Sequence, residues 1–146
     1  MSIFPTKILL STDGSEEAEL ALRAAADLAR ATGSELHVVH VLPTDMGIPY
    51  PAEVLKREPL QQAEQRAQAF LDQQVERIGV EGVVVTGYYL REGRPANEIV
   101  RLSEELGAGL IVVGSKGLGG VRRALMGSVS DSVVRHAHCP VMVVRE

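Results

Sequence analysis

The chain has 146 residues, 45% of them hydrophobic and 23% charged, a globular balance that excludes disorder over most of the length and suits a single domain, 1–146. A formal charge of -4 at pH 7 argues against non-specific duplex or anionic-membrane binding, and with 3% aromatic residues and no Trp the chain lacks the stacking platforms of single-strand binders. The one cysteine, Cys139, can form neither an internal disulfide nor a CxxC motif, which fits a reducing, cytoplasmic setting; the start MSIFPTKILLSTDGS lacks a signal-peptide pattern, and no apolar run reaches the about 20 residues of a membrane span.

Two kinds of segment alternate along the chain. Lys7–Ser11, Glu35–Leu42, Val83–Leu90, Leu110–Gly114 and Val141–Arg145 are short, nearly continuous runs of Val, Ile and Leu, the pattern of strands buried on both faces. Between them, Ser15–Ala31 places Leu20, Ala21, Ala24, Ala25, Leu28 and Ala31 at helical spacing, with Gly33 as its stop. Leu60–Ile78 repeats the pattern before Gly79, Pro95–Leu106 opens on a first-turn proline and closes at Gly107, and Ser128–Ala137 precedes Pro140. The irregular stretch Pro43–Glu58 carries three prolines and reads as an excursion or lid. Strands alternating with helices of these lengths predict an α/β fold: an open, mostly parallel sheet with helices on both faces. In such sheets ligands bind outside the carboxyl ends of the strands, which directs attention to Thr12 and Asp13, to Val41 and Leu42, and to Gly114 onward.

The segment Gly114–Ser130, GSKGLGGVRRALMGSVS, is the most informative. Glycines let a ligand approach main-chain N–H groups closely, and the helix expected from Ser128 adds the positive end of its dipole. Lys116, Arg122 and Arg123 make the loop basic, and no acid precedes Asp131. A basic glycine-rich loop on an acidic protein points to a phosphate-bearing ligand. Standard motifs are absent: there is no GK dipeptide of a Walker loop, no glycine at position 122 to complete a dinucleotide fingerprint, no GxSxG and no HExxH.

Gly114-x2-Gly117-x9-Gly127-Ser128 matches the G-2x-G-9x-G-(S/T) nucleotide signature, and the chain resembles the ATP-binding branch of the universal stress protein family. KILLSTDGSEEAELAL, LHVVHVLP, GRPANEI, LIVVGSKGLGG and HCPVMVV carry the likeness over nearly the whole chain. The resemblance implies an adenine nucleotide alpha-hydrolase-like fold with five strands in the order 3-2-1-4-5, ATP at the carboxyl edge, with Mg²⁺ or Mn²⁺, and a homodimer. It assigns Gly114, Gly117, Gly127 and Ser128 to the ribose and phosphates, with Val129 and Ser130 adding backbone or hydroxyl contacts. Asp13 meets the nucleoside end, Thr12 lies near the phosphates or metal, Val41 meets the adenine through its backbone, and Lys116 reaches phosphate.

Structural readings compete at several positions. Asp13 and Glu16 form a capping box with Asp13 as N-cap, and Ser15 is a rival cap. Lys116, Arg122 and Arg123 also read as solvated side chains. His136, His138 and Cys139 are too tight for one zinc site and have no second cluster to complete it. His37 and His40 fall on opposite faces of their strand. No Walker-type lysine, paired carboxylates or arginine finger marks a phosphoryl-transfer site. The expectation is an ATP-binding regulatory, stress-response protein with at most slow hydrolysis; an adenine-nucleotide hydrolase and a nucleotide-free dimeric interaction module are the alternatives. In the implied order Val141, Met142, Val143 and Val144 form an apolar edge strand, suited to pairing with a second copy.

Overall fold

The structure is a computed structural model describing residues 2–44, 59–115 and 127–146. Lys116, Gly117, Arg122, Arg123 and most of Pro43–Glu58 therefore lie outside the described residues.

Among the described residues nine elements alternate: β1 (Lys7–Ser11), α1 (Glu16–Thr32), β2 (Glu35–Pro43), α2 (Leu60–Val80), β3 (Val85–Gly93), α3 (Pro95–Leu106), β4 (Leu110–Gly114), α4 (Ser128–His136) and β5 (Val141–Val144). The strands form one sheet in the order β3-β2-β1-β4-β5, and all four pairings are parallel. Parallel neighbours need helical crossovers, and these cover both faces.

The two-residue alternation of the strands sorts their side chains into two cores. Ile8, Leu10, Leu36, Val38, Leu110 and Val112 face one side and pack under α1 and α2. Leu9, Val39, Val41, Ile111 and Val113 face the other and pack under α3 and α4. The alanine face of α1 (Ala21, Ala25, Ala26, Ala29) is buried, so this helix seats close to the sheet. Both helix stops with glycine are confirmed where a left-handed residue is required: Gly33 at φ 69 after α1 and Gly107 at φ 68 after α3.

Three boundaries depart from the sequence reading by two residues or more. The helix expected to stop before Gly79 continues to Val80, and the turn falls at Gly82, whose φ is +85. That turn delays the third strand: Val83 is buried against the first core but Val84 is 84% exposed, and β3 begins at Val85. β3 then runs to Gly93 instead of Leu90, because Arg91, Glu92 and Gly93 pair with Val41, Leu42 and Pro43 of β2. A register shift between Leu36 and His37 accommodates the extra residue, Thr86.

Candidate functional site

β1, β2 and β4 end together at one edge of the sheet, and the first turns of α1 and α4 begin there. At the end of β1, Thr12 is almost fully buried (2% exposed). Its N–H donates to Val39 O at 3.0 Å and its carbonyl accepts from His40 Nδ1 at 2.8 Å. The chain then turns at Asp13. One Asp13 carboxylate oxygen accepts from the Ser15 N–H at 2.9 Å, and Ser15 is the N-cap of α1, its hydroxyl accepting from Ala18 N–H at 3.1 Å. Ser15 therefore wins the competition for the cap, and the capping box centred on Asp13 does not form. Asp13 sits two residues earlier, half-buried at the strand edge.

On the β4 side, Gly114 lies against the first turn of α1. A Cβ placed on Gly114 would approach Glu17 C at 2.8 Å and Ala18 N at 2.9 Å, so the first glycine of the signature is required by packing before any ligand is considered. Ser115 follows, 3% exposed, its N–H donating to Val144 O at 2.8 Å. Its carbonyl accepts from both the Gly127 N–H and the Ser130 hydroxyl, the latter at 2.8 Å. The residues on either side of 116–126 are thereby tied together, and the buried Ser130 hydroxyl proton serves this tie. Gly127 is the N-cap of α4 and supplies no side-chain cap. Ser128 is exposed and Val129 half-exposed in the first turn.

Two hollows meet at Asp13. A narrow notch of about 30 Å³ is lined by Asp13, Ser15, Gly114, Val129 and Ser130, among others. A cleft of about 400 Å³ opens on the α2 side, between Asp13, His40, Leu42, Ala63, Ala67 and Phe70, with Arg66 at its rim. Phe70 is held there by Gly14: at φ +85, with a would-be Cβ 3.3 Å from Phe70 Cε1, this position favours glycine both for its backbone and for the approach. A third hollow, about 220 Å³, lies where the first turns of α3 and α4 face each other, between Pro95, Ala96, Asn97, Ser128, Val129 and Ser132.

Of the residues expected at the site, Asp13, Gly114, Gly127, Ser128, Val129 and Ser130 converge on this edge. Thr12 and Val41 reach it only through their backbone. Thr12 is enclosed, and Val41 is 8% exposed and turned into the second core, so neither side chain lines the notch or the cleft. Lys116 and Gly117 lie outside the described residues. Leu42, singled out in the sequence as a strand-end residue, lines the cleft, whereas His40 and Phe70 were not expected there. The signal was present: His40 and Leu42 share one strand face at period two, and Ala63, Ala67 and Phe70 share one helix face.

The remaining candidates separate. His37 is buried and lies between Glu35 Oε1 (3.1 Å) and the Tyr89 hydroxyl (3.0 Å), on the opposite face from His40, which packs on Phe70 with ring centroids 4.7 Å apart. His136 Nδ1 lies 2.8 Å from Ser132 O and His138 Nδ1 3.1 Å from Glu104 Oε1, so the two imidazoles serve different partners. Burial pushes the Cys139 thiol pKa up, away from thiolate chemistry. Among the described residues no group of three His, Cys, Asp or Glu side chains is placed to hold a metal ion, and no described helix is long and apolar enough to cross a membrane.

Residues 5–145 match the family model described as the universal stress protein family. The chain belongs to this family. It is 36% identical over 143 residues to universal stress protein MJ0531 of Methanocaldococcus jannaschii, covering 96% of this chain and 82% of that protein. Among solved structures it is similar to UspA from Lactobacillus plantarum, with a TM-score of 0.80 and 27% identity over 99% of this chain and 100% of that one. It is also similar to a universal stress protein from Archaeoglobus fulgidus solved in complex with dAMP, with a TM-score of 0.65 and 28% identity over 98% of this chain and 99% of that one. The five-stranded parallel sheet is thus the universal stress protein fold.

Proposed function

We propose that this protein binds an adenine nucleotide, with ATP as the physiological ligand, at the carboxyl edge of the sheet, and that it acts as a nucleotide-dependent regulatory protein of the stress response. One observation carries the reading: at Asp13 an apolar cleft sized for a base meets a notch floored by the first turn of α4, which has no side-chain cap. A helix start left without an acidic cap suits phosphate. The base lies in the cleft, Asp13 accepts from the ribose, and the main-chain N–H groups of Ser128 and Val129 meet the phosphates. Gly117 and Lys116, which lie between Ser115 and Gly127 in the sequence, contribute further phosphate contacts. The dAMP complex of the Archaeoglobus relative supports the ligand class.

A Mg²⁺ or Mn²⁺ ion fits this site only as a passenger of the phosphates. Asp13 is the carboxylate lining the notch, and a divalent ion held by one carboxylate plus phosphate oxygens is ordinary for Mg²⁺. Among the described residues no second carboxylate lines the notch beside Asp13, which supports binding with at most slow hydrolysis. Freshly purified protein, denatured, releases adenine nucleotide, and calorimetry shows ATP binding. Absence of both would overturn the reading, and turnover above about 1 s⁻¹ would replace it with an enzyme.

The assembly we propose is a cytoplasmic homodimer through β5. Among the described residues this strand pairs only with β4, and Met142 is 36% exposed; an apolar edge strand favours pairing with another chain. Light scattering should give a dimer that Val143→Pro converts to monomer. A concentration-independent monomer of the parent protein would sink the proposal.

A further inference from the structure

We infer that Tyr89 is a redox-active tyrosine: a diffusible one-electron oxidant, such as an oxygen-centred radical, takes an electron from its ring while its hydroxyl proton passes to His37. The inference does not depend on nucleotide binding, because the group lies near the amino end of β2 and on the sheet face opposite His40. Three side chains stand in a row. Glu35 Oε1 lies 3.1 Å from His37 Nε2, and His37 Nδ1 lies 3.0 Å from the Tyr89 hydroxyl. A carboxylate oxygen accepts, so Nε2 carries the proton. In the neutral ring Nδ1 is then left with the lone pair and accepts from the Tyr89 O–H. Carboxylate, imidazole and hydroxyl thus follow one another in the order of a general-base relay.

A phenol that loses an electron becomes a strong acid, so the electron leaves readily only where a base already holds the hydroxyl proton. Here the balance closes. The oxidant gains one electron, the Tyr89 O–H bond breaks and an N–H bond forms at His37 Nδ1. The products are a neutral phenoxyl radical and an imidazolium. His37 is 4% exposed, where an unpaired charge would be costly, and the Glu35 carboxylate on Nε2 meets that charge. The neighbouring cations take no proton: Lys7 is the register partner of Glu35 on β1, and Arg91, two residues beyond Tyr89, is held by Glu98 and Glu105. Space for the contact is kept by Gly87. A Cβ there would collide with the Tyr89 hydroxyl and lie 3.1 Å from His37 Nδ1. Glycine weakens a strand interior, and Gly87 has no positive φ that would call for one; what it provides is room for this hydrogen bond. Tyr88 is an internal control. It is 50% exposed, and among the described residues its hydroxyl has no hydrogen-bond partner.

The test is laser-flash oxidation of the full chain by photogenerated ruthenium tris-bipyridine at neutral pH, read from the absorption of the tyrosyl radical. The chain has three tyrosines and no Trp, so two double variants separate the sites. Tyr50→Phe with Tyr88→Phe retains Tyr89, and Tyr50→Phe with Tyr89→Phe retains Tyr88. The Tyr89 protein should form its radical at least about tenfold faster than the Tyr88 protein, despite the exposure of Tyr88, because only Tyr89 has a positioned base. A rate no greater than that of the Tyr88 protein would overturn the inference. In the Tyr89 protein, His37→Phe should remove the advantage; an unchanged rate in the folded variant would refute the role of His37. If that variant does not fold, Glu35→Gln decides. Its amide oxygen can still accept from Nε2, so the row of contacts is kept and only the charge is lost. The radical should then form at least about threefold more slowly, and an unchanged rate would refute the relay.

Discussion

Of the helices that start at the carboxyl edge of the sheet, α1 and α4 have first turns built in opposite ways. α1 opens with the Ser15 cap and with Glu16, Glu17 and Glu19 in its first turn. The Ser15 hydroxyl accepts from the Ala18 N–H, and the first-turn carboxylates oppose the positive end of its dipole. α4 opens on Gly127, with no side-chain cap and with Ser128, Val129 and Ser130 ahead of its first acid, Asp131. The first helix is closed to an anion and the second is open to one, although both occupy equivalent positions against parallel strands. A glycine at a strand end means different things at the two starts: Gly114 serves the packing of α1, whereas Gly127 leaves α4 without a side chain at its cap.

The largest effect on stability should come from Gly114→Val. The nearest atoms to the added Cβ are main-chain atoms of Glu17 and Ala18 at 2.8 and 2.9 Å, which cannot move without shifting α1. A cost of about 3 kcal/mol or more, read from the urea midpoint without nucleotide, is expected. An unchanged midpoint would mean that Gly114 serves only the ligand, and the contrast between the two glycines would collapse. Ser15→Ala comes next. Losing the cap costs about 1 kcal/mol, while ATP affinity should stay within about twofold, because the α1 start is occupied by its own side chains. A tenfold loss of affinity at unchanged stability would place the phosphate at α1 instead.

Much of this was legible in the sequence, for local reasons. α3 falls at Pro95–Leu106 as expected, because Pro95 at its start and the left-handed Gly107 at its end are local signals. The strand order came from family resemblance, and the helices on both faces from the nearly continuous apolar runs of the strands. The extension of β3 was hidden because Arg91, Glu92 and Gly93 do not look like strand residues. Arg91 is tolerated there because α3 supplies Glu105 at 2.9 Å and Glu98 at 3.8 Å, and the Glu105 hydrogen bond raises the guanidinium pKa. The cleft was hidden for the same kind of reason: His40 and Phe70 are 30 residues apart in sequence, and only the packing of α2 on β2 brings their rings together. The role of Gly114 was equally non-local, since the contact that demands a glycine belongs to α1.

The smallest effect on stability sharpens the comparison most. Ser128→Glu gives α4 a first-turn carboxylate of the kind α1 already has. Ser128 is exposed, so the new side chain meets no steric obstacle, and a carboxylate near a helix N-terminus is favourable by about 0.5 kcal/mol. The thermal midpoint without nucleotide should therefore rise slightly. The same charge stands where the phosphates are proposed to bind, so ATP affinity should fall by about tenfold or more, and higher salt should recover part of it by screening. Stability and binding thus move in opposite directions at α4, whereas Ser15→Ala lowers stability at α1 and leaves binding alone. If Ser128→Glu gained stability and bound ATP as tightly as the parent, the open first turn of α4 would not be the phosphate site, however well its geometry suits one.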